Sequence, residues 1–295
     1  MIGCSSASQS TEQIAEISSA KNSLDNEQVI QRYDVLSRRI LRADGQNNGL
    51  SAYELIRGFA GKRSIESPDL FQGNHSGQEH IYEDYDDNIG NHFVFVIHRD
   101  LDRDRNKMTI TDRQRNEIKA YGSSTDDLKG FKNETMVYQW QIKINDAMEL
   151  SRRFTHFFQL KAVGGDDSQP IITLSGAERR GEDGMEIRYH GGDNKRDLLG
   201  RIAWEDVAGE WLNVYVRATY NDSASIRIIA NRVRDEKVIF NIDRSNLDLW
   251  RGTDKAHFVR PKWGIYRSLI DSDNLRSDEE DVRFANFIVS KVKAN

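Results

Sequence analysis

The chain has 295 residues, a length that holds one large or two ordinary domains and excludes a longer array of them. Charged residues make up 30% and the formal net charge is −5, so the chain is strongly polar, has no membrane-spanning apolar run and lacks the basic excess of a general nucleic-acid binder. On its face the acidic balance also argues against any polyanionic ligand. The aromatic set of 12 Phe, 10 Tyr and 5 Trp is nonetheless large enough to build a core. The single cysteine, Cys4, excludes an intrachain disulfide and any zinc site built from several thiolates.

In chain order, the opening Met1-Ile2-Gly3-Cys4-Ser5-Ser6 is similar to the tail of a bacterial lipobox, where small residues precede the cysteine that is lipidated after signal cleavage. The expectation is a secreted or cell-envelope lipoprotein of a bacterium, with residues 1–25 as a Ser-rich tether and the only membrane contact through Cys4. Residues 26–66 read as a helical extension. From Asn26 to Arg42 the apolar Val29, Ile30, Tyr33, Leu36, Ile40 and Leu41 recur at spacings of three and four, which predicts an amphipathic helix. Ser51-Ala52-Tyr53-Glu54 has capping-box form and predicts a second one, with Tyr53, Leu55, Ile56 and Phe59 on its apolar side. Between them Asp44-Gly45-Gln46-Asn47-Asn48-Gly49 imitates the start of an EF-hand. Leu55 stands where the bidentate carboxylate is needed, so a turn is expected.

After Pro68 short alternating segments, separated by Gly, Asn and Asp, predict an all-β sandwich or barrel over residues 67–295. The predicted strands are His92 to His98, Thr111 to Tyr121, Thr135 to Ile144, Phe154 to Lys161, Ile171 to Leu174, Glu186 to His190, Trp211 to Tyr220, Ser225 to Val233, Lys262 to Ser268 and Val282 to Val289. Three of them carry polar groups along one face under the period-two rule. Arg113, Arg115, Glu117 and Lys119 share a face, with Ile118 and Ala120 on the core side. Thr155, Phe157, Gln159 and Lys161 share another, leaving His156 on the core side between Phe154 and Phe158 as a structural histidine. Lys262, Gly264 and Tyr266 share the third, where glycine beside tyrosine would let a ligand approach the backbone.

These motifs, Arg115-Asn116-Glu117, Gln159-Leu160-Lys161 and Lys262-Trp263-Gly264-Ile265-Tyr266, resemble the active-site strands of the jelly-roll polysaccharide lyases, a group with alginate, glucuronan, heparin and short ulvan lyases. Lysine at position 161, where the alginate lyases carry histidine, is similar to the short ulvan lyases of polysaccharide lyase family 28. The resemblance covers residues 67–295 and implies a β-jelly roll that cleaves a uronate-containing, sulfated polysaccharide by β-elimination. It implies Lys161, Tyr266, Arg115 and Gln159 as catalytic residues, with Arg113, Glu117, Lys119, Phe157, Lys262 and His190 as substrate contacts.

Such chemistry neutralises the uronate carboxylate, removes the C5 proton and protonates the departing oxygen. Arg115 and Gln159 suit the first need, Arg because its fork fits a carboxylate. For the proton, either Tyr266 serves as base with Lys161 and Arg115 beside it, or Lys161 is the base and Tyr266 the acid. Glu117 would hold Arg115 or Lys161 in place. His80, His92, His98 and His190 are looser candidates for sugar contacts. The acidic Glu79, Glu83, Asp84, Asp86, Asp87 and the later Asp100, Asp102 and Asp104 read as loop charges. No cofactor is required, although either acidic run offers ligands for a structural calcium. The expected partner is an anionic polysaccharide bound by a monomer whose basic groove overrides the acidic total. The rivals are a glucuronan or heparin-type lyase on the same scaffold and a surface glycan-binding lipoprotein without turnover. A hydrolase is disfavoured because Glu117 has no evident acidic partner on the neighbouring polar faces.

Overall fold

The computed structural model describes residues 33–192 and 195–293. Cys4, the tether and the first residues of the predicted helix over 26–42 lie outside the described residues. The strands in chain order are β1 (Val35–Leu41), β2 (Ile65–Glu66), β3 (Ile81–Asp86), β4 (Gly90–His98), β5 (Arg113–Lys119), β6 (Thr135–Ile144), β7 (Thr155–Val163) and β8 (Ile172–Arg179). They continue as β9 (Glu182–His190), β10 (Arg196–Ala203), β11 (Leu212–Thr219), β12 (Ala224–Arg232), β13 (Val238–Leu247), β14 (Phe258–Ser268) and β15 (Glu279–Val292), with one α-helix among the described residues, α1 (Ala52–Ala60).

They form two antiparallel sheets. One runs β13-β12-β11-β6-β15-β4-β3, with β1 added beside β15, and the other runs β10-β9-β8-β7-β14-β5-β2. Between them lies one core. Trp140 of the first sheet and Phe158 of the second meet at 4.4 Å between ring centroids, and Trp263 meets Phe287 edge-on at 5.3 Å. Such pairs add to area burial because the positive ring edge finds a negative ring face.

The helix expected over Asn26 to Arg42 is replaced, where it is described, by strand β1. The 14-residue β15 explains why. Its first half pairs with β4, while its second half, past a bulge between Ala285 and Ile288, pairs with β1. Ordered backbone groups on that edge outweigh a helical pattern whose apolar residues find no core: Leu36 and Ile40 stay 63% and 46% exposed, and only Leu41 is buried. The second helix forms as its capping box predicts. Ser51 accepts the Glu54 amide at 3.3 Å, the Glu54 carboxylate accepts the Ser51 amide at 2.9 Å, and Ile56 and Phe59 are buried. The acidic run before residue 90, expected in a loop, includes strand β3. There Glu83 faces inward and accepts the amides of Asp44 and Gly45 at 2.8 and 2.7 Å, which tightens the turn that imitates an EF-hand.

Candidate active site

Strands β7, β14 and β5 lie side by side in the seven-stranded sheet, so the three polar motifs of the sequence form one surface. Lys262 stands between Gln159 on one side and Lys119 on the other, and Tyr266 stands between His156 and Arg115. Ile118, Phe158, Trp263 and Ile265 point to the core instead. On the outer face the polar side chains line a cleft of about 560 Å³ that holds Arg113, Arg115, His156, Gln159, Lys161, His190, Lys262 and Tyr266. Its lining carries eleven Lys and Arg against three carboxylates, Glu66, Asp104 and Glu186. Local charge therefore opposes the global balance, and low-dielectric walls would focus it.

Tyr266 is the most tightly framed of these residues. Arg113 donates to its hydroxyl at 3.1 Å, while the Arg115 guanidinium lies 3.7 Å from its ring centroid. Phe154 and His156 flank the ring at centroid distances of 5.1 and 6.0 Å. Arg113 is itself fixed by Asp112, which accepts from its Nε at 2.7 Å. A phenol with a bound cation at its oxygen and another across its face is placed to exchange a proton with whatever enters the cleft.

Beneath the floor the cations are already paired. Glu117, 1% exposed, accepts from Arg115, Gln159 and Lys262, while Glu66 accepts from Lys119 and forms an ion pair with Lys262 at 2.8 Å. Asp104 accepts from the Arg115 Nε at 2.8 Å. Burial works against the Glu66 charge, yet Lys262, Arg115 and Lys119 together hold its carboxyl well below the usual range. Burial also pushes the Lys119 amine down to about 8, with Glu66 pulling the other way. Lys119 and Glu117, expected to touch substrate, are thus buried members of this ion network and do not themselves line the cleft. Their shared face with Arg115 is real, but the edge strand β2 brings Glu66 over Lys119 and covers it.

The alternation on β7 breaks at a bulge between His156 and Phe158. Two successive residues, Phe157 and Phe158, both enter the core, and His156 moves to the cleft face with Gln159 and Lys161. Phe157 is therefore a core residue stacked on Trp204 and not a substrate contact. His156 is not the core histidine that strict period two predicts. Its Nδ1 lies 2.7 Å from the Ser175 hydroxyl, and burial followed by coupling to His190 and by the Arg115 charge pushes its pKa down to about 3, leaving it neutral. His190 is likewise held neutral, its pKa lowered to about 4 by burial and then by Arg196, and neither ring nitrogen has a hydrogen-bond partner among the described residues. Lys161 donates to the Asp167 carbonyl, and burial together with Lys262 lowers its pKa to about 8. Gly264 serves the backbone and not a ligand. Its φ is +138°, and a Cβ there would stand 2.1 Å from the Asn116 carbonyl oxygen of β5.

Several cleft residues carry no sequence signal of their own. Glu66 sits in a two-residue strand, and Asp104 reads as loop charge. Arg153, Arg179, Arg188 and Arg196 extend the cleft wall into an adjoining arginine-lined recess with Arg113 and Arg152. For His156 the adjacent aromatic pair Phe157-Phe158, an interruption of strict alternation, is the one sign of a bulge.

No family model matches the sequence, and no curated protein does. Among solved structures the chain is similar to the alginate lyase Aly36B, at 12% identity and a TM-score of 0.54 over 87% of this chain and 98% of that one. A substituted form of Aly36B in complex with alginate trisaccharide gives 10% identity and 0.55 over 88% and 100%. The marine alginate lyase from Aplysia kurodai gives 9% identity and 0.53 over 85% and 97%. At these identities the likeness is one of fold: the chain is an all-β jelly roll of the architecture found in polysaccharide lyases.

Proposed function

We propose that the protein is a polysaccharide lyase that cleaves a uronate-containing polymer by β-elimination, with Tyr266 at the reacting centre. The observation that carries this reading is the Tyr266 hydroxyl, presented in a cation-lined cleft and bound by Arg113 at 3.1 Å. In the reaction Tyr266, entering as the phenolate, takes the C5 proton, the C4–O bond breaks as the C4=C5 double bond forms, and the phenol so made gives that proton to the leaving oxygen and is again a phenolate. Gln159 and Arg115 stabilise the charge that develops on the uronate carboxylate, and buried Lys262 adds to the field from below.

The alternative, with Lys161 as base, is favoured by its pKa near 8. Strand register favours Tyr266 in both roles. Tyr266 pairs with His156 and Lys161 with Arg260, rungs separated by about 16 Å along β7 at ~3.3 Å per residue. Lys161 then belongs to substrate binding further along the groove. The row Arg152, Arg153, Arg179, Arg188 and Arg196 supports a polymer with sulfate as well as carboxylate groups, as in ulvan, over glucuronan. A secreted or lipid-anchored location, from the lipobox-like Cys4, belongs to the same proposal.

The test is release of unsaturated uronyl ends, followed by absorbance, from ulvan, glucuronan, alginate and heparin. Tyr266→Phe should lower turnover about 10²–10⁴-fold, while Lys161→Ala should chiefly raise KM. Turnover retained by Tyr266→Phe but abolished in Lys161→Ala would transfer the base role to lysine. Tight binding by the wild type without product would make the protein a glycan-binding module.

A further inference from the structure

Outside the cleft, the loop before β3, the end of β4 and the loop that follows it bring three imidazoles and a carboxylate to one point. His75, His80, His98 and Asp102 each present a ligand atom, and these atoms lie within 4.8 Å of one another. From Asp102 the separations are 2.9 Å to His75 Nδ1, 3.0 Å to His80 Nε2 and 3.4 Å to His98 Nδ1. Around a tetrahedral zinc with bonds of about 2.0–2.2 Å, neighbouring ligand atoms stand roughly 3.3 Å apart. The rings are mutually edge-on at centroid distances of 4.8 to 5.2 Å, so their nitrogens converge while their faces do not stack.

The outward nitrogens of two of the rings are held by other partners. His80 Nδ1 lies 2.7 Å from the Gln78 carbonyl oxygen, and His98 Nε2 lies 3.0 Å from the Glu279 carboxylate. That leaves His80 Nε2 and His98 Nδ1 facing the Asp102 carboxylate. His98 Nδ1 is buried and has no hydrogen-bond partner. The backbone carbonyl behind His80 and the carboxylate behind His98 are the outer contacts that orient metal-bound imidazoles.

We propose that His75, His80, His98 and Asp102 form a structural zinc site. Three imidazoles select a borderline transition metal over calcium, which takes six to eight oxygen ligands. Four protein ligands with no open position mark a structural and not a hydrolytic centre. The site ties the wall of the cleft. Asn74 clamps the loop after β4 by donating to the carbonyls of Arg103 and Arg105 at 3.2 and 2.8 Å and accepting the Arg103 amide at 3.0 Å. Two residues past Asp102 on that loop, Asp104 holds Arg115 under the Tyr266 ring. The metal would therefore fix the arginine that frames the tyrosine. The assignment does not depend on the lyase reading.

The test uses the full chain without a histidine tag, loaded with zinc or with calcium, and metal content measured after desalting. About one zinc per chain is expected, retained through desalting, with a melting temperature that falls on chelation and recovers with zinc. His75→Ala, at a partly exposed loop position, should lose the zinc while keeping the wild-type circular dichroism. Glu279→Gln should weaken affinity about 10–100-fold without abolishing it. Equal zinc content in wild type and His75→Ala, or a melting temperature raised by calcium and not by zinc, would overturn the proposal.

Discussion

At the scale of single residues, the floor of the cleft is governed by Glu117. One buried carboxylate collects Arg115, Gln159 and Lys262, and so sets the position of three side chains that the substrate would meet. Buried ion pairs contribute little net stability when intact, because desolvation offsets the attraction, but removing one partner leaves a charge without compensation. Glu117→Gln keeps the shape and removes the charge. It should cost about 3 kcal/mol in denaturant unfolding, the low end for a broken buried pair because Glu66 still holds Lys262. A loss within experimental error would mean that water or Glu66 already neutralises the cluster.

Among the elements, β14 joins the two other site strands and depends on Gly264. With φ at +138° and the β5 backbone where a Cβ would go, only glycine lets β14 stay in register with β5. Gly264→Ala should destabilise the fold by about 3 kcal/mol or more, read as a lower denaturation midpoint. It should also lower any turnover, since the same ladder sets Tyr266 beside Arg115. The contrast between strands shows what sequence can reveal. The central β6 is delimited residue for residue by its alternation, because it is covered on both edges and one of its faces packs on the core. At the sheet edges β10 and β13 escape notice, since a strand with one neighbour buries too few residues to print a pattern. In β7 alternation places Gln159 and Lys161 in the cleft and misplaces His156 and Phe157, because a bulge changes parity without changing composition. The Glu66 network and the His75–His80–His98–Asp102 cluster stay hidden for another reason. The network joins Glu66 to Lys262 across most of the chain, and the histidine cluster meets only when the loops on either side of β3 and β4 fold together.

For the whole molecule, the burial of neutral histidines ties stability to pH. His156 and His190, with pKa values lowered to about 3 and 4, face Arg115, Lys262, Lys161, Arg188, Arg196 and Arg251, so a proton on either ring would join a crowd of cations. In the unfolded chain both titrate near 6.5. Between about pH 6.5 and 4 the unfolded state therefore binds protons that the folded state refuses, and stability falls as pH falls, by at most about 1.4 kcal/mol per pH unit for each ring. Below that window the network carboxylates add to the loss. Glu66, held well below its usual range, contributes stability above its unfolded pKa and gives it up as pH drops through the folded value. His80 does not contribute a slope here: its pKa is raised to about 9 through Asp102 and Asp69 against the burial penalty, so below pH 6.5 it is charged in both states. Unfolding free energy measured from pH 6.5 to 4 on chelator-treated protein, which removes competition between protons and metal, should decline throughout. His156→Gln, which cannot take the proton, should flatten that decline by up to one ring's share. A wild-type profile that stays level to pH 4 would mean that both rings accept protons in the folded cleft, and that the cation field there is weaker than its eleven Lys and Arg residues imply.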